Sequence, residues 1–243
     1  MNTIIFTFDQ NININAKPAK YRQLIRFYRT AIQKAKQLNY EVELYSNSEI
    51  FEKDVDILHW VDADEFNYEF WDSFKFKVLE ERYDDYLLCD GDILFHDRIN
   101  IDPSADIIFD AWETFNWNDV YKEEVQKLTD LGIQSIIPEW INLTQHVMNC
   151  GILKFQNHEL QKIYVDRWKK VHNFALQHKD KLNFHKCTCV AAQYLLTILS
   201  NYYNAKRVNY STELRIANPF YVHFAGNAKY QGIKTFTDKV TKI

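Results

Sequence analysis

Residues 86–95 read Tyr-Leu-Leu-Cys-Asp-Gly-Asp-Ile-Leu-Phe (YLLCDGDILF). Two carboxylates, Asp90 and Asp92, stand on either side of Gly91 in an otherwise apolar run. Such a run reads as a buried strand. Residues two apart on a strand point the same way, so the carboxylates would share a face. Burying two like charges without partners is costly. A divalent cation removes that cost, and so does full exposure in a turn. Ligands of open α/β sheets bind beyond the carboxyl ends of the strands, which is where this apolar run meets Asp90.

Working outward, strand-like and helix-like runs alternate. Residues 4–8 are apolar and β-rich, and residues 19–38 place Leu24, Phe27, Tyr28, Ala31 and Ala35 at helical spacing. Strands are expected at 40–46 and 56–62. A helix is expected over 68–82 with Trp71, Phe74, Val78 and Leu79 inward. Beyond the opening stretch, strands are expected at 105–112 and, as one piece, at 145–155. Helices are expected near 118–131, 158–178 and 187–201. The segments KRVNY (206–210) and PFYVHFAG (219–226) close the chain as strands. This order predicts a three-layer α/β/α domain with a mainly parallel central sheet. With five glycines, four prolines and no linker-like tract, residues 1–243 are expected to form a single domain.

Composition narrows the function. Hydrophobic residues make up 47% and aromatic residues 16%, enough for a sizeable core. A net charge of −4 argues against a broad nucleic-acid-binding surface. No stretch approaches the roughly 20 apolar residues of a membrane span. The N-terminal residues lack a basic region and read as a first strand rather than a signal peptide. Cys89, Cys150, Cys187 and Cys189 are therefore expected as reduced thiols in a cytoplasmic protein. His185, Cys187 and Cys189 in HKCTC lack the paired spacing of a zinc site.

Asp-x-Asp also occurs at Asp54/Asp56, among charges, and at Asp62/Asp64, after an apolar run. Only the pair at 90 and 92 is apolar on both sides with a glycine between, which lets a ligand approach the backbone. A second signal lies near the C-terminus. Residues 222–229, VHFAGNAK, order His223, Gly226 and Lys229 as His-x-x-Gly-x-x-Lys. A histidine can ligate a divalent ion, a glycine lets backbone meet a phosphate, and a lysine neutralises phosphate charge.

Together these motifs resemble glycosyltransferases of the GT-A fold, which is Rossmann-like. YLLCDGDILF is similar to their metal-binding Asp-x-Asp strand. HFAGNAK and the Asn149/Gly151 pair of MNCGILKF are similar to elements of the glycogenin/galactosyltransferase-like family 8 branch. The resemblance implies that Asp90, Asp92 and His223 hold one Mn²⁺ or Mg²⁺ on the diphosphate of a nucleotide-sugar donor, most simply a UDP-sugar. Gly226 and Lys229 match its diphosphate-contacting pair. Asp90, Gly151 and Lys75 fall with the donor-binding set, although Lys75 and its neighbour Lys77 also read as solvated charges. Asn149 matches a residue on the sugar side, or else is a turn residue before a strand. Gln193 matches the second member of an acidic-Gln pair near the reacting sugar, with Ala192 in the acidic place. Asn149, Gln193 and Lys229 are thus the catalytic candidates. Asp110 and Glu113 are candidate bases if the reaction inverts, whereas the resemblance implies retention. The aromatic segment WETFNW (112–117) could stack on a saccharide or glycan-bearing acceptor or belong to the core.

Two other readings compete. A haloacid-dehalogenase-type phosphatase also opens with Asp-x-Asp at a strand end, the first aspartate as nucleophile and the second as general acid. That motif ordinarily sits near the N-terminus and continues differently. The third reading is a catalytically inactive nucleotide- or carbohydrate-binding module of the same fold.

Overall fold

The computed structural model describes residues 2–10, 18–62, 70, 72–114, 119–141, 146–211 and 220–224. In chain order the strands are β1 (Thr3–Phe8), β2 (Glu41–Ser46), β3 (Ile57–Trp60), β4 (Tyr86–Cys89), β5 (Ile93–Phe95), β6 (Ile107–Thr114), β7 (His146–Met148), β8 (Ile152–Phe155), β9 (Arg207–Ser211) and β10 (Tyr221–His223). The helices are α1 (Pro18–Gln37), α2 (Ser73–Glu81), α3 (Asp119–Asp130), α4 (His158–Gln177), α5 (Phe184–Cys189) and α6 (Leu195–Tyr202).

The main sheet runs β3-β2-β1-β4-β8-β6-β7, with β9 also paired to β6. The β1–β2, β2–β3, β1–β4 and β6–β9 pairs are parallel. The β4–β8, β6–β8 and β6–β7 pairs are antiparallel. A mixed, mostly parallel sheet with helices on both faces is the α/β class expected. Alternate residues of β1 explain the layering. Ile4, Phe6 and Phe8 face one core with Leu24, Phe27, Ala31 and Ala35 of α1. Ile5 faces the other, built on Phe76, Trp168, Tyr164 and Leu196 of α2, α4 and α6. A strand covered on both sides has no reason to alternate polar and apolar residues, and β1 does not. Among the described residues, no helix is long and apolar enough to cross a membrane.

Three expected elements differ in detail. The helix expected from residue 68 begins at Ser73, because Phe70 turns into the core, its carbonyl accepting from Ser73 N at 3.1 Å. Trp71 lies outside the described residues. The single strand expected over 145–155 is two, β7 and β8. β6 pairs Phe109 with Leu153 but Trp112 with Met148, so four residues, 149–152, oppose two, Asp110 and Ala111. The two extra residues make a wide bulge, which bends a strand and re-aims its side chains. The helix expected over 187–201 starts at Phe184, where Asn183 caps it by accepting from Lys186 N at 3.1 Å. Between α5 and α6 it widens into a π turn, Val190–Tyr194, of a kind often found at functional sites.

Helix α1 also explains Gly91. Tyr28 donates its hydroxyl to Thr7 O at 2.8 Å, and its ring lies flat on the Gly91 backbone, where a Cβ would overlap the ring carbons. The close approach that Gly91 permits is therefore that of a tyrosine ring. Gly91→Ala should destabilise the fold by about 1–3 kcal/mol through overpacking. Tyr28→Ala in the same chain should recover much of that loss, and additive losses in chemical denaturation would show the contact to be unimportant.

Candidate metal centre

Strand β4 runs parallel to β1 and ends at Cys89, and Ile93 N then donates back to Asp90 O at 3.2 Å and closes a turn. The turn delivers β5, and β10 pairs antiparallel with it, His223 opposite Ile93. Phe224 N then donates to Asp92 O at 3.0 Å. Sheet pairing thus carries a late histidine to the Asp-x-Asp turn. Ligand atoms of Asp90, Asp92 and His223 all lie within 4.8 Å of one another, and among the described residues this is the one such group. His223 and Asp92 are buried, and the Asp90 side chain is about a quarter exposed.

His223 is oriented from behind. Its Nδ1 meets Asp110 Oδ2, while the Tyr221 hydroxyl donates to Asp110 Oδ1 at 2.7 Å. Asp110 is wholly buried. With Nδ1 committed to Asp110, Nε2 faces Asp92 Oδ1 at 3.3 Å. A carboxylate that fixes one imidazole nitrogen and frees the other is the usual support of a metal-ligating histidine. Burial by itself would lower the His223 pKa, but Asp110 and Asp92 outweigh it and hold it well above its ordinary value. Two carboxylates and an imidazole nitrogen suit a divalent cation such as Mn²⁺ or Mg²⁺, so the residues present fit the ion.

Asp110 is thereby corrected as a candidate base, since both its oxygens are occupied inside the protein. Glu113 is likewise engaged, its carboxylate accepting from Asn149 Nδ2 and from Tyr121 Oη, the latter at 3.0 Å. Asn149 Oδ1 accepts from Gly151 N at 2.7 Å, so this buried side chain is spent at both ends on shaping the bulge. A Cβ at Gly151 would stand 2.5 Å from His223 Cε1 and 2.8 Å from Nδ1. Gly151 makes room for the histidine ring.

Lys75 is buried, with Nζ 2.5 Å from Asp90 Oδ1 and 3.0 Å from Cys150 O. Burial would lower its pKa, but Asp90 leads the groups that raise it overall. Burial pushes the Asp90 carboxyl up, Lys75 pulls it back and Asp92 adds to the rise. Lys77 instead pairs with Glu81 at 2.6 Å on the outer side of α2. Gln193 lies in the π turn, and its buried Oε1 finds no hydrogen-bond partner among the described residues. The Ala192 carbonyl beside it accepts from Tyr164 Oη at 2.7 Å. Asp72 was not singled out by any motif. It is 3% exposed, and neither carboxylate oxygen finds a hydrogen-bond partner among the described residues. Burial lifts its pKa to about 7, with Lys75 pulling the other way.

Gly226, Lys229, Asp64 and Trp117 lie outside the described residues. Trp112 is half-buried, edge-on to Phe109 at 4.8 Å, with the Arg207 guanidinium 5.6 Å above its ring. The Asp54/Asp56 pair takes part in surface ion pairs with Arg29 and Lys36. Cys187 packs in the core near Glu124, away from any metal-like group among the described residues.

No family model matches the chain, and no curated protein matches it. Among solved structures, the chain is similar to galactosyltransferase LgtC in complex with donor and acceptor sugar analogues. That match is 12% identical with a TM-score of 0.44, covering 78% of this chain and 69% of the other. Mouse xyloside xylosyltransferase 1 is 12% identical with a TM-score of 0.47, covering 85% and 84%. The CTP:phosphocholine cytidylyltransferase LicC of Streptococcus pneumoniae is 9% identical with a TM-score of 0.49, covering 97% and 98%.

Asp72 gives a signed pH dependence. Its pKa of about 7 in the fold lies above the ordinary 3.8, so the folded state binds the extra proton between those values. The carboxylate therefore destabilises fully above about pH 7 and not at all below 3.8. Asp72→Asn should raise the melting temperature at pH 8, and the gain should shrink steadily towards pH 4. A gain that is flat or grows on acidification would contradict this assignment.

Proposed function

We propose that this protein is a metal-dependent glycosyltransferase that moves a sugar from a nucleotide-sugar donor, most simply a UDP-sugar, to a saccharide or glycan-bearing acceptor. The convergence of Asp90, Asp92 and His223 beyond the end of a central parallel strand carries this reading. The backing of His223 by Asp110 adds to it. A phosphatase of the haloacid-dehalogenase type has no need of a histidine in the same group, and this favours the transferase.

The chemistry requires a leaving nucleoside diphosphate to be stabilised as its charge grows. The divalent ion, when bound, supplies that stabilisation without proton transfer. Asp90, Asp92 and Nε2 of His223 would hold it. Asp110 keeps the Nδ1 proton of His223 in place, so that Nε2 presents a lone pair. The buried Lys75 ammonium pairs with Asp90 in the absence of the ion. Gln193 Oε1, without a protein partner among the described residues, is an acceptor left for a sugar hydroxyl. Gly226 and Lys229 are proposed to contact the diphosphate, as their motif implies, and retention of configuration is the proposed outcome. Asn149 then acts by shaping the bulge beneath the site rather than by touching sugar. The aromatic residues Trp112 and Trp117 remain the proposed acceptor platform. One domain spanning the chain would carry all of these parts. The four cysteines are free, three of them buried, in keeping with a cytoplasmic setting.

Calorimetry should show UDP binding only with Mn²⁺ present, and Asp92→Asn should abolish it while the melting temperature holds. Binding that persists undiminished in this variant would remove Asp92 from the metal site. A wild-type protein that ignores UDP and Mn²⁺ but responds to Mg²⁺ with a phosphate mimic would support the phosphatase instead.

Lys229→Ala should lower kcat for donor hydrolysis on the order of 10²-fold, the usual loss on removing one electrostatic donor from a transition state. Its melting temperature should be nearly unchanged. Near-native kinetics would make Lys229 a surface charge.

A further inference from the structure

The buried charges around Lys75 are unevenly matched. The Lys75 ammonium is committed to Asp90 Oδ1 and to the Cys150 carbonyl. Asp72 stands three residues earlier, at the head of the same helix, α2. Side chains three apart on a helix are neighbours. Each also feels the other's charge, Lys75 lowering the Asp72 pKa and Asp72 raising that of Lys75. Yet Asp72 does not cap its own helix, and both its oxygens lack a partner among the described residues. A buried carboxylate in that condition opposes folding and is kept only where something else requires it.

Asp90 is claimed twice. It pairs with Lys75, and it is one of the three residues that can hold a divalent ion. An ion on Asp90 would set two positive charges beside the ammonium and weaken that ion pair. We propose that Lys75 exchanges carboxylates when the metal binds, leaving Asp90 to the ion and pairing with Asp72. This inference rests on the metal reading given above. The exchange conserves charge pairing, because the ion replaces the ammonium at Asp90 and the ammonium neutralises Asp72. Only the flexible Lys75 side chain has to move, with α2 staying in place. Asp72 is then a positioning residue. It gives Lys75 a second station and so helps the metal to bind without touching it.

The test is calorimetric titration with Mn²⁺ alone, with no nucleotide present, on four proteins: wild type, Asp72→Asn, Lys75→Met and the double variant. In Asp72→Asn, Mn²⁺ affinity should fall on the order of tenfold, because the displaced ammonium has no carboxylate to receive it. The melting temperature of the same variant without metal should hold or rise. Lys75→Met should bind Mn²⁺ at least as tightly as wild type, since a competing cation is gone. In the Lys75→Met background, Asp72→Asn should cost no further affinity. The exchange is overturned if Asp72→Asn leaves Mn²⁺ affinity unchanged, or lowers it equally with and without Lys75. It is overturned also if that variant melts lower, which would make Asp72 a structural residue. A wild-type protein that binds no Mn²⁺ would instead refute the metal centre itself, and the exchange with it.

Discussion

The contact between Asp110 and His223 holds the site together. Asp110 lies on β6 in the main sheet, and His223 lies on β10 in a separate two-stranded sheet. Their side chains tie the two sheets at one point, with Tyr221 bonded to the same carboxylate. Strand β10 is otherwise held by its short pairing with β5 and by the packing of Tyr221 and Val222 into the core. With that tie, the imidazole is fixed in rotation as well as position, and Nε2 has only the Asp-x-Asp turn to face. The wide bulge opposite Asp110 belongs to the same constraint. Four residues must oppose two so that Gly151 can pass beneath the imidazole while Asn149 braces the turn.

Electrostatics shows how such an arrangement would favour a cation. Asp90, Asp92 and Asp110 are brought close to the imidazole of His223, and Asp72 feels the charges of Lys75 and Asp90. Burial raises the Asp72 and Asp90 carboxyls, and Asp110 and Asp92 hold the His223 pKa well above its ordinary value. The two carboxyl shifts come first from desolvation, with a neighbouring carboxylate adding to each, while the imidazole shift reports the negative charge of Asp110 and Asp92. In a core otherwise built for stability this would be selected away, since apolar residues of similar volume often serve better. Beside a group that would hold a divalent ion, as proposed above, these carboxylates would favour its binding.

Much of this was legible in the sequence, and the limits have physical causes. The order of strands and helices followed from periodicity, and the Asp90/Asp92/His223 trio followed from motif order. What periodicity cannot register is a bulge. Residues 145–155 mix apolar residues with Gln145, His146, Asn149 and Lys154, and nothing in that pattern separates β7 from β8. The π turn is hidden as well, because a largely apolar helix keeps its pattern when one turn widens. Asp72 carries no motif, and a carboxylate at the head of a helix ordinarily reads as an exposed cap. Its burial depends on how the segment before α2 meets α4 and α5, through contacts such as Phe70 with Trp168 and Phe184. Those are tertiary contacts that no local window contains.

The glycines mark how motif and mechanism part company. Gly91 and Gly151 both stand beside metal-ligand candidates, and a glycine there invites the reading that a phosphate needs the backbone. In the fold, one glycine receives the Tyr28 ring and the other the His223 ring. Both rings pack against protein, so the two glycines stiffen the site from below instead of opening it from above. That is a sensible division. A metal centre gains affinity when its ligands are held in place before the ion arrives, because less order must be imposed on binding. Tyr28 pins the Asp-x-Asp turn through Gly91, and Asp110 pins His223 over Gly151. The side chain proposed to rearrange among these charges is Lys75, now committed to Asp90 and the Cys150 carbonyl, on a flexible stem.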